Sequence, residues 1–211
     1  MNSEHQQLVD KLREESGSLR LFIAVAFNDA IRAAGAELIR RLQTGARFTG
    51  AFPTWVKAEG LHQTLVFLGN QPPTRVQEIC ALMESVSQHS SPFRVSVGGV
   101  HFFPTDKNPR VISVGLRGDV ESLHALQLTL SERCRAAGLT AEDRPFRPHV
   151  TLARIKSMRG LPGLRDVVAM HRAVQLGEMV VDRITLYRSR LHPDGAEYDV
   201  LYESFLSAPQ V

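Results

Sequence analysis

The pattern His-x-Thr-Leu occurs twice in this chain, each time framed by strand-favouring residues. One copy lies in Leu61-His62-Gln63-Thr64-Leu65-Val66-Phe67-Leu68-Gly69, the other in Arg147-Pro148-His149-Val150-Thr151-Leu152-Ala153-Arg154. On a strand, side chains alternate between faces, so positions i and i+2 point the same way. Each copy therefore presents an imidazole and a hydroxyl together. Leu65 and Phe67, and Val150 and Leu152, are expected on the opposite face, where they can bury. A fold that uses both copies lays the two strands beside one pocket holding His62, Thr64, His149 and Thr151.

These four side chains suit the chemistry of a phosphodiester. Histidine, with an unperturbed pKa of about 6.5, exchanges a proton near neutrality. Two of them can divide the work, one taking a proton from a nucleophile while the other gives one to a leaving group. Threonine hydroxyls donate hydrogen bonds to anionic oxygens without a charge or a metal. A lone His-x-Thr is commonplace; two in matching apolar frames within one chain of single-domain size are not. His5, His89, His101, His124, His171 and His192 lack the frame and read as structural or surface residues.

Further segments extend the pattern along the chain. They are Arg20-Leu21-Phe22-Ile23-Ala24-Val25, the lead-in from Trp55 to Leu61, Phe102-Phe103-Pro104 followed by Pro109-Arg110-Val111-Ile112, Leu186 to Leu191, and Gly195-Ala196-Glu197-Tyr198. With the two motifs, and from Arg20 to about Leu206, the chain resembles the two-histidine phosphoesterases, specifically the RNA 2′,3′-cyclic phosphodiesterases also called 2′-5′ RNA ligases. Gln63 departs from relatives only at the free position of the motif, and the first eighteen residues have no clear counterpart.

The resemblance implies an α+β fold of two pseudo-symmetric lobes. Each is a mainly antiparallel sheet with outer helices, and the two sheets face a central cleft. It also implies a reaction: water opens the 2′,3′-cyclic phosphodiester end of an RNA or nucleotide, leaving a 2′-phosphate and a free 3′-hydroxyl, with 2′-5′ ligation as a minor activity. His149 is assigned as base and His62 as acid, though a nearly symmetric site leaves the reverse open. Thr64 and Thr151 would hold the phosphate oxygens. Arg154 is a further substrate candidate, although strict alternation groups it with Val150 and Leu152, and a solvent ion pair is the competing reading. Phe27 and Phe103, each at a strand end, are the preferred base-stacking candidates, ahead of Phe48 and Trp55. A module of the same fold that binds RNA ends without turnover is the alternative.

Composition narrows the field. The chain has 211 residues, 43% of them hydrophobic, and a formal net charge of +3. That is enough chain for one domain with a real core, and a charge compatible with a polyanionic substrate without signifying one. No apolar run reaches the ~20 residues of a membrane helix, and the polar start has no signal-peptide core. Cys80 and Cys134 fall in helical patterns as buried thiols, which points to a reducing, cytoplasmic setting. With no zinc-type Cys/His spacing and no phosphate loop, no cofactor or metal is expected, and a monomer is. Residues 1–18 are expected to form an N-terminal extension to one bilobal domain over 19–211.

The coarse element reading has a buried strand from Leu19 to Phe27, then a helix capped by Asn28 or Asp29 with Ile31, Leu38, Ile39 and Leu42 inside. Next come a helix capped by Thr74, strands about Phe93 and Val111 with a turn or bulge at Gly98-Gly99, and a helix from Asp119 to Gly138. The second motif is read as a strand from Phe146 to Ile155, followed by a short helix over Leu164 to His171. One strand is read from Val180 to Tyr187, paired with Tyr198 to Phe205 across Pro193-Asp194-Gly195. Each half of the chain thus holds strands, helices and one motif.

Overall fold

A computed structural model of the chain describes residues 17–45, 53–139, 145–155, 161–192 and 195–207. The N-terminal extension up to residue 16, His5 and Phe48 lie outside these residues. The fold is α+β, with two antiparallel sheets. The first has the order β3-β1-β8-β9, formed by Leu19–Ala26 (β1), His62–Gln71 (β3), Arg183–His192 (β8) and Gly195–Phe205 (β9). The second has the order β2-β6-β5-β4-β7, formed by Thr54–Trp55 (β2), Phe93–Phe103 (β4), Val111–Gly118 (β5), Val150–Arg154 (β6) and Gln175–Val181 (β7).

Each sheet buries one face under helices. Helix α2 (Val76–Ser87) and helix α3 (Val120–Ala136) cover the first sheet, where Ile79, Met83, Leu123 and Leu130 meet Leu21, Ile23, Leu68 and Ile184. Helix α1 (Asp29–Gly45) and helix α4 (Leu161–Met170) cover the second, where Ile31, Leu42, Val167 and Val168 meet Val97, Val100, Ile112 and Leu152. The apolar stripes read from the sequence are the faces that bury. Asn28 caps α1, its Oδ1 accepting from the Ile31 N–H at 2.9 Å. Asp119 caps α3 by accepting from the Ser122 N–H. These caps satisfy backbone donors that a helix start leaves orphaned. Both cysteines are buried free thiols, their pKa values pushed by burial to about 12 and 11. Among the described residues no helix is long and apolar enough to cross a membrane.

The lobes are not the halves of the chain. Helix α1 leaves the first sheet and packs on the second, β2 joins the second, and β3 returns to the first. Later α3 crosses back to cover the first sheet, and β8 and β9 complete it. Four local expectations also change. Thr74 caps nothing: Pro73–Arg75 is a 3₁₀ turn, and α2 begins at Val76 without a side-chain cap. The strand expected from Val180 to Tyr187 is two strands in different sheets, broken at Asp182, so one apolar run hides a change of lobe. The second motif strand begins only at Val150, leaving His149 in the approach to it. Trp55 pairs with Ala153 of the second motif strand instead of leading straight into β3.

Candidate active site

Hydrogen bonding fixes the two motif histidines in the same way. His62 Nδ1 lies 2.8 Å from the Gly60 carbonyl, and His149 Nδ1 lies 2.8 Å from the Arg147 carbonyl. A carbonyl only accepts, so Nδ1 is the donor in each ring, and in the neutral tautomer Nε2 carries no proton. Both carbonyls belong to the residue two places upstream, so one local device serves both lobes. The motif strands β3 and β6 approach within 8 Å, Cα to Cα. The Val56 N–H, just before the first motif, donates to the Leu152 carbonyl of the second at 2.9 Å. Thr64 and Thr151 are both half-buried, and neither hydroxyl makes a hydrogen bond among the described residues.

A β-bulge follows the threonine in each motif. On β3, Thr64 faces Ala24 while Val66 faces Ile23, so Leu65 is the extra residue. On β6, Thr151 faces Ser113 while Ala153 faces Ile112, so Leu152 is the extra residue. An extra residue shifts the alternation by one position. Leu65 and Val66 therefore both bury, and Phe67, expected in the core, is 43% exposed beside Phe22, ring centroids 6.1 Å apart. By the same shift Arg154 leaves the face of Val150 and Leu152: it is exposed, and its positive charge reaches His62. Phe67 and Arg154 stand at equivalent places, one in each lobe.

The imidazoles sit among rings. His62 has Phe22 at 4.8 Å and Tyr198 at 5.0 Å, centroid to centroid, and Tyr187 stacks on Phe22 at 5.2 Å. This desolvation lowers the His62 pKa to about 4, with Arg154 and then His149 adding smaller depressions and the Gly60 carbonyl opposing them. Sensitivity to His149 and Arg154 places the residues of the two lobes in one electrostatic neighbourhood. Phe103 lies flat on the His149 ring, centroids 3.9 Å apart and planes within 10°.

The other stacking candidates fare differently. Phe27 is 2% exposed in the core under α1, so the strand end turns it inward, away from the cleft. Trp55 packs against the same core. Of the histidines read as structural, His101 lies on the cleft face of β4, opposite Ser113, which in turn faces Thr151. Phe22, Tyr187, Tyr198 and Ser113 were not legible as site residues. Phe22 is hidden in an apolar run with both faces covered, and the others depend on cross-strand register. Among the described residues no three His, Cys, Asp or Glu side chains gather as a metal-binding group.

A family model described as the 2′-5′ RNA ligase superfamily matches residues 28–193. A Thermus thermophilus protein called RNA 2′,3′-cyclic phosphodiesterase is 34% identical over 196 residues, covering 87% of this chain and 88% of the relative. One of the same name from Aeropyrum pernix is 33% identical over 165 residues, covering 78% and 93%. Another from Geobacillus stearothermophilus is 29% identical over 197 residues, 89% of this chain but only 58% of that longer relative. Among solved structures, TT0787 of Thermus thermophilus is 30% identical with a TM-score of 0.69, covering 89% of this chain and 98% of that one. Escherichia coli LigT complexed with 3′-AMP shares the fold, at 23% identity and a TM-score of 0.70 over 90% and 99% of the chains.

Proposed function

This chain belongs to the 2′-5′ RNA ligase superfamily, and from that premise we propose that it is a hydrolase that opens the 2′,3′-cyclic phosphodiester end of an RNA or nucleotide. The observation that carries the reading is the matched pair of imidazoles. Each Nδ1 is tied to the carbonyl two residues upstream and each ring is followed by a hydroxyl on the same face.

His149 Nε2 takes a proton from water as the water oxygen bonds to phosphorus. His62 Nε2 gives a proton to O3′ as the P–O3′ bond breaks. A 2′-phosphomonoester and a 3′-hydroxyl result, and the dyad ends with its proton exchanged between rings. Thr64 and Thr151 donate to the non-bridging oxygens, and Arg154, brought round by its bulge, supplies positive charge to the same phosphate. With the 5′-hydroxyl of a second RNA in place of water, the same forward displacement of O3′ makes a 2′-5′ linkage; the large excess of water keeps that reaction minor.

Phe103 holds the His149 ring by stacking. The roles are met without a metal, so turnover is expected to persist in EDTA. Loss on chelation with recovery on one divalent ion would speak for a metallohydrolase. The deciding experiment is incubation with an oligoribonucleotide bearing a 2′,3′-cyclic end, followed by location of the phosphate. Accumulation of a 3′-phosphate, or no turnover, overturns the proposal.

A further inference from the structure

We propose that a basic groove on the cleft face of the second sheet holds the ribose-phosphate of the nucleotide preceding the cyclic end, an inference that rests on the RNA-end reading above. The groove has a volume of about 310 Å³, and its lining includes Gly98, Gly99, His101, Asp106, Arg117 and Arg172. That volume is at the low end for ligand sites, and suits one sugar-phosphate unit.

Its position follows from strand register. Thr151 faces Ser113, and Ser113 faces His101, so one row runs from the motif across the sheet to the groove. His101 is two residues before Phe103 on the same face of β4, roughly 6.6 Å along the strand, and Phe103 lies against His149. The groove therefore opens beside the catalytic pair. A 2′,3′-cyclic phosphate ends its strand, so any further nucleotide lies on the 5′ side and must leave the cleft by such a route.

The floor is bare backbone. Gly98 faces Gly115, and a Cβ on Gly115 would come to 3.5 Å from Gly98 O and from His101 Cε1. The walls carry the recognition chemistry. Arg172 shares its charge with Asp106 at 3.0 Å, whereas Arg117 makes no ion pair among the described residues, so a positive charge is left over. A guanidinium matches a phosphodiester's two oxygens. The His101 Nδ1 is tied to the Gly99 carbonyl at 3.0 Å, leaving Nε2 to meet a 2′-hydroxyl, the group that distinguishes RNA.

The test compares Arg117→Ala and His101→Gln with the unaltered protein. One arm measures binding of a fluorescein-labelled tetraribonucleotide ending in a 3′-phosphate, and of a 3′-nucleoside monophosphate as its competitor. The other measures turnover of a 2′,3′-cyclic mononucleotide and of a tetranucleotide with the same end. Arg117→Ala is expected to weaken tetranucleotide binding about tenfold, and to reduce the slope of log Kd against log salt by about one. The mononucleotide is expected to be weakened less than threefold. His101→Gln is expected to narrow the preference for the ribo- over the deoxyribo-tetranucleotide. Equal losses on the two ligands, or no loss on either, overturn the groove assignment. Failure of the unaltered protein to turn over both cyclic substrates overturns the RNA-end reading instead, while the binding arm still judges the groove.

Discussion

His62 is held neutral by its neighbours, and that has a direct consequence. Burial among Phe22 and Tyr198 puts its pKa near 4, so the ring is uncharged in the free protein at neutral pH, and to serve as the acid it must take up its Nε2 proton as the anionic phosphate binds. Tyr198 is half-buried and forms one wall of this cage. Tyr198→Ala admits water, relieves the desolvation, and is expected to raise the His62 pKa from about 4 toward the ordinary 6.5. Imidazole ring-proton titration by NMR checks this, and an unmoved midpoint would mean that the charges of Arg154 and His149 dominate. The acid and base are separable by leaving group, because a nitrophenolate needs no proton to depart. A nitrophenyl phosphodiester is expected to restore His62→Ala but not His149→Ala; the opposite pattern reverses the two roles. Under the proposed roles, Thr64→Val and Thr151→Val each remove a donor to the phosphate and are expected to cost ~2–4 kcal/mol in kcat/KM.

At the scale of elements, bulges decide what faces the cleft, and bulges are where the sequence is least legible. The stripes Val76, Ile79, Cys80, Met83 and Val86, or Leu123, Leu126, Leu130 and Cys134, are readable because burial on one helix face leaves a 3.6-residue period. Strict alternation succeeds for His62 with Thr64 and for His149 with Thr151, then fails one residue later in both strands. Nothing in Thr-Leu signals that Leu65 and Leu152 are extra; only the register against Ile23-Ala24 and Ile112-Ser113 reveals it. The Gly98-Gly99 bulge was legible because it needs glycine. Gly99 has φ 74°, and a Cβ on Gly98 would run into the Val174 carbonyl. A backbone oxygen cannot swing aside as a side chain can, so Gly98→Ala is expected to destabilise by ~1–3 kcal/mol. In a protein of this size each kcal/mol lowers Tm by roughly 2–4 °C. An unchanged melting temperature would show that the 171–174 turn yields freely.

At the scale of the whole molecule, the site exists only because two lobes close on it, each contributing one histidine from a chain that crosses between them. The fold class and the paired motifs were legible; the exchange of α1, β2 and α3 between lobes was not, since an amphipathic stripe says that a helix buries and not which sheet it covers. Groups that act as one unit are not additive. His62→Ala and His149→Ala are each expected to lower kcat ~10²–10⁴-fold, with the double variant little worse than either. The pH profile is likewise a property of the pair. A neutral base with a protonated acid is a one-proton state of the dyad, and exchanging the roles gives the same proton count, so both assignments give kcat/KM the same bell shape. Its limbs follow from the first and second protons. Because the folded environment lowers His62 to about 4, the second proton binds only in acid. The active one-proton state then persists well below the 6.5 of a free imidazole, and activity falls as pH drops through about 4. On the alkaline side activity falls as the remaining proton leaves. An acid limb in the ordinary imidazole range would show that the His62 cage is wet in solution, and a flat profile with chemistry rate-limiting would remove both imidazoles from proton transfer.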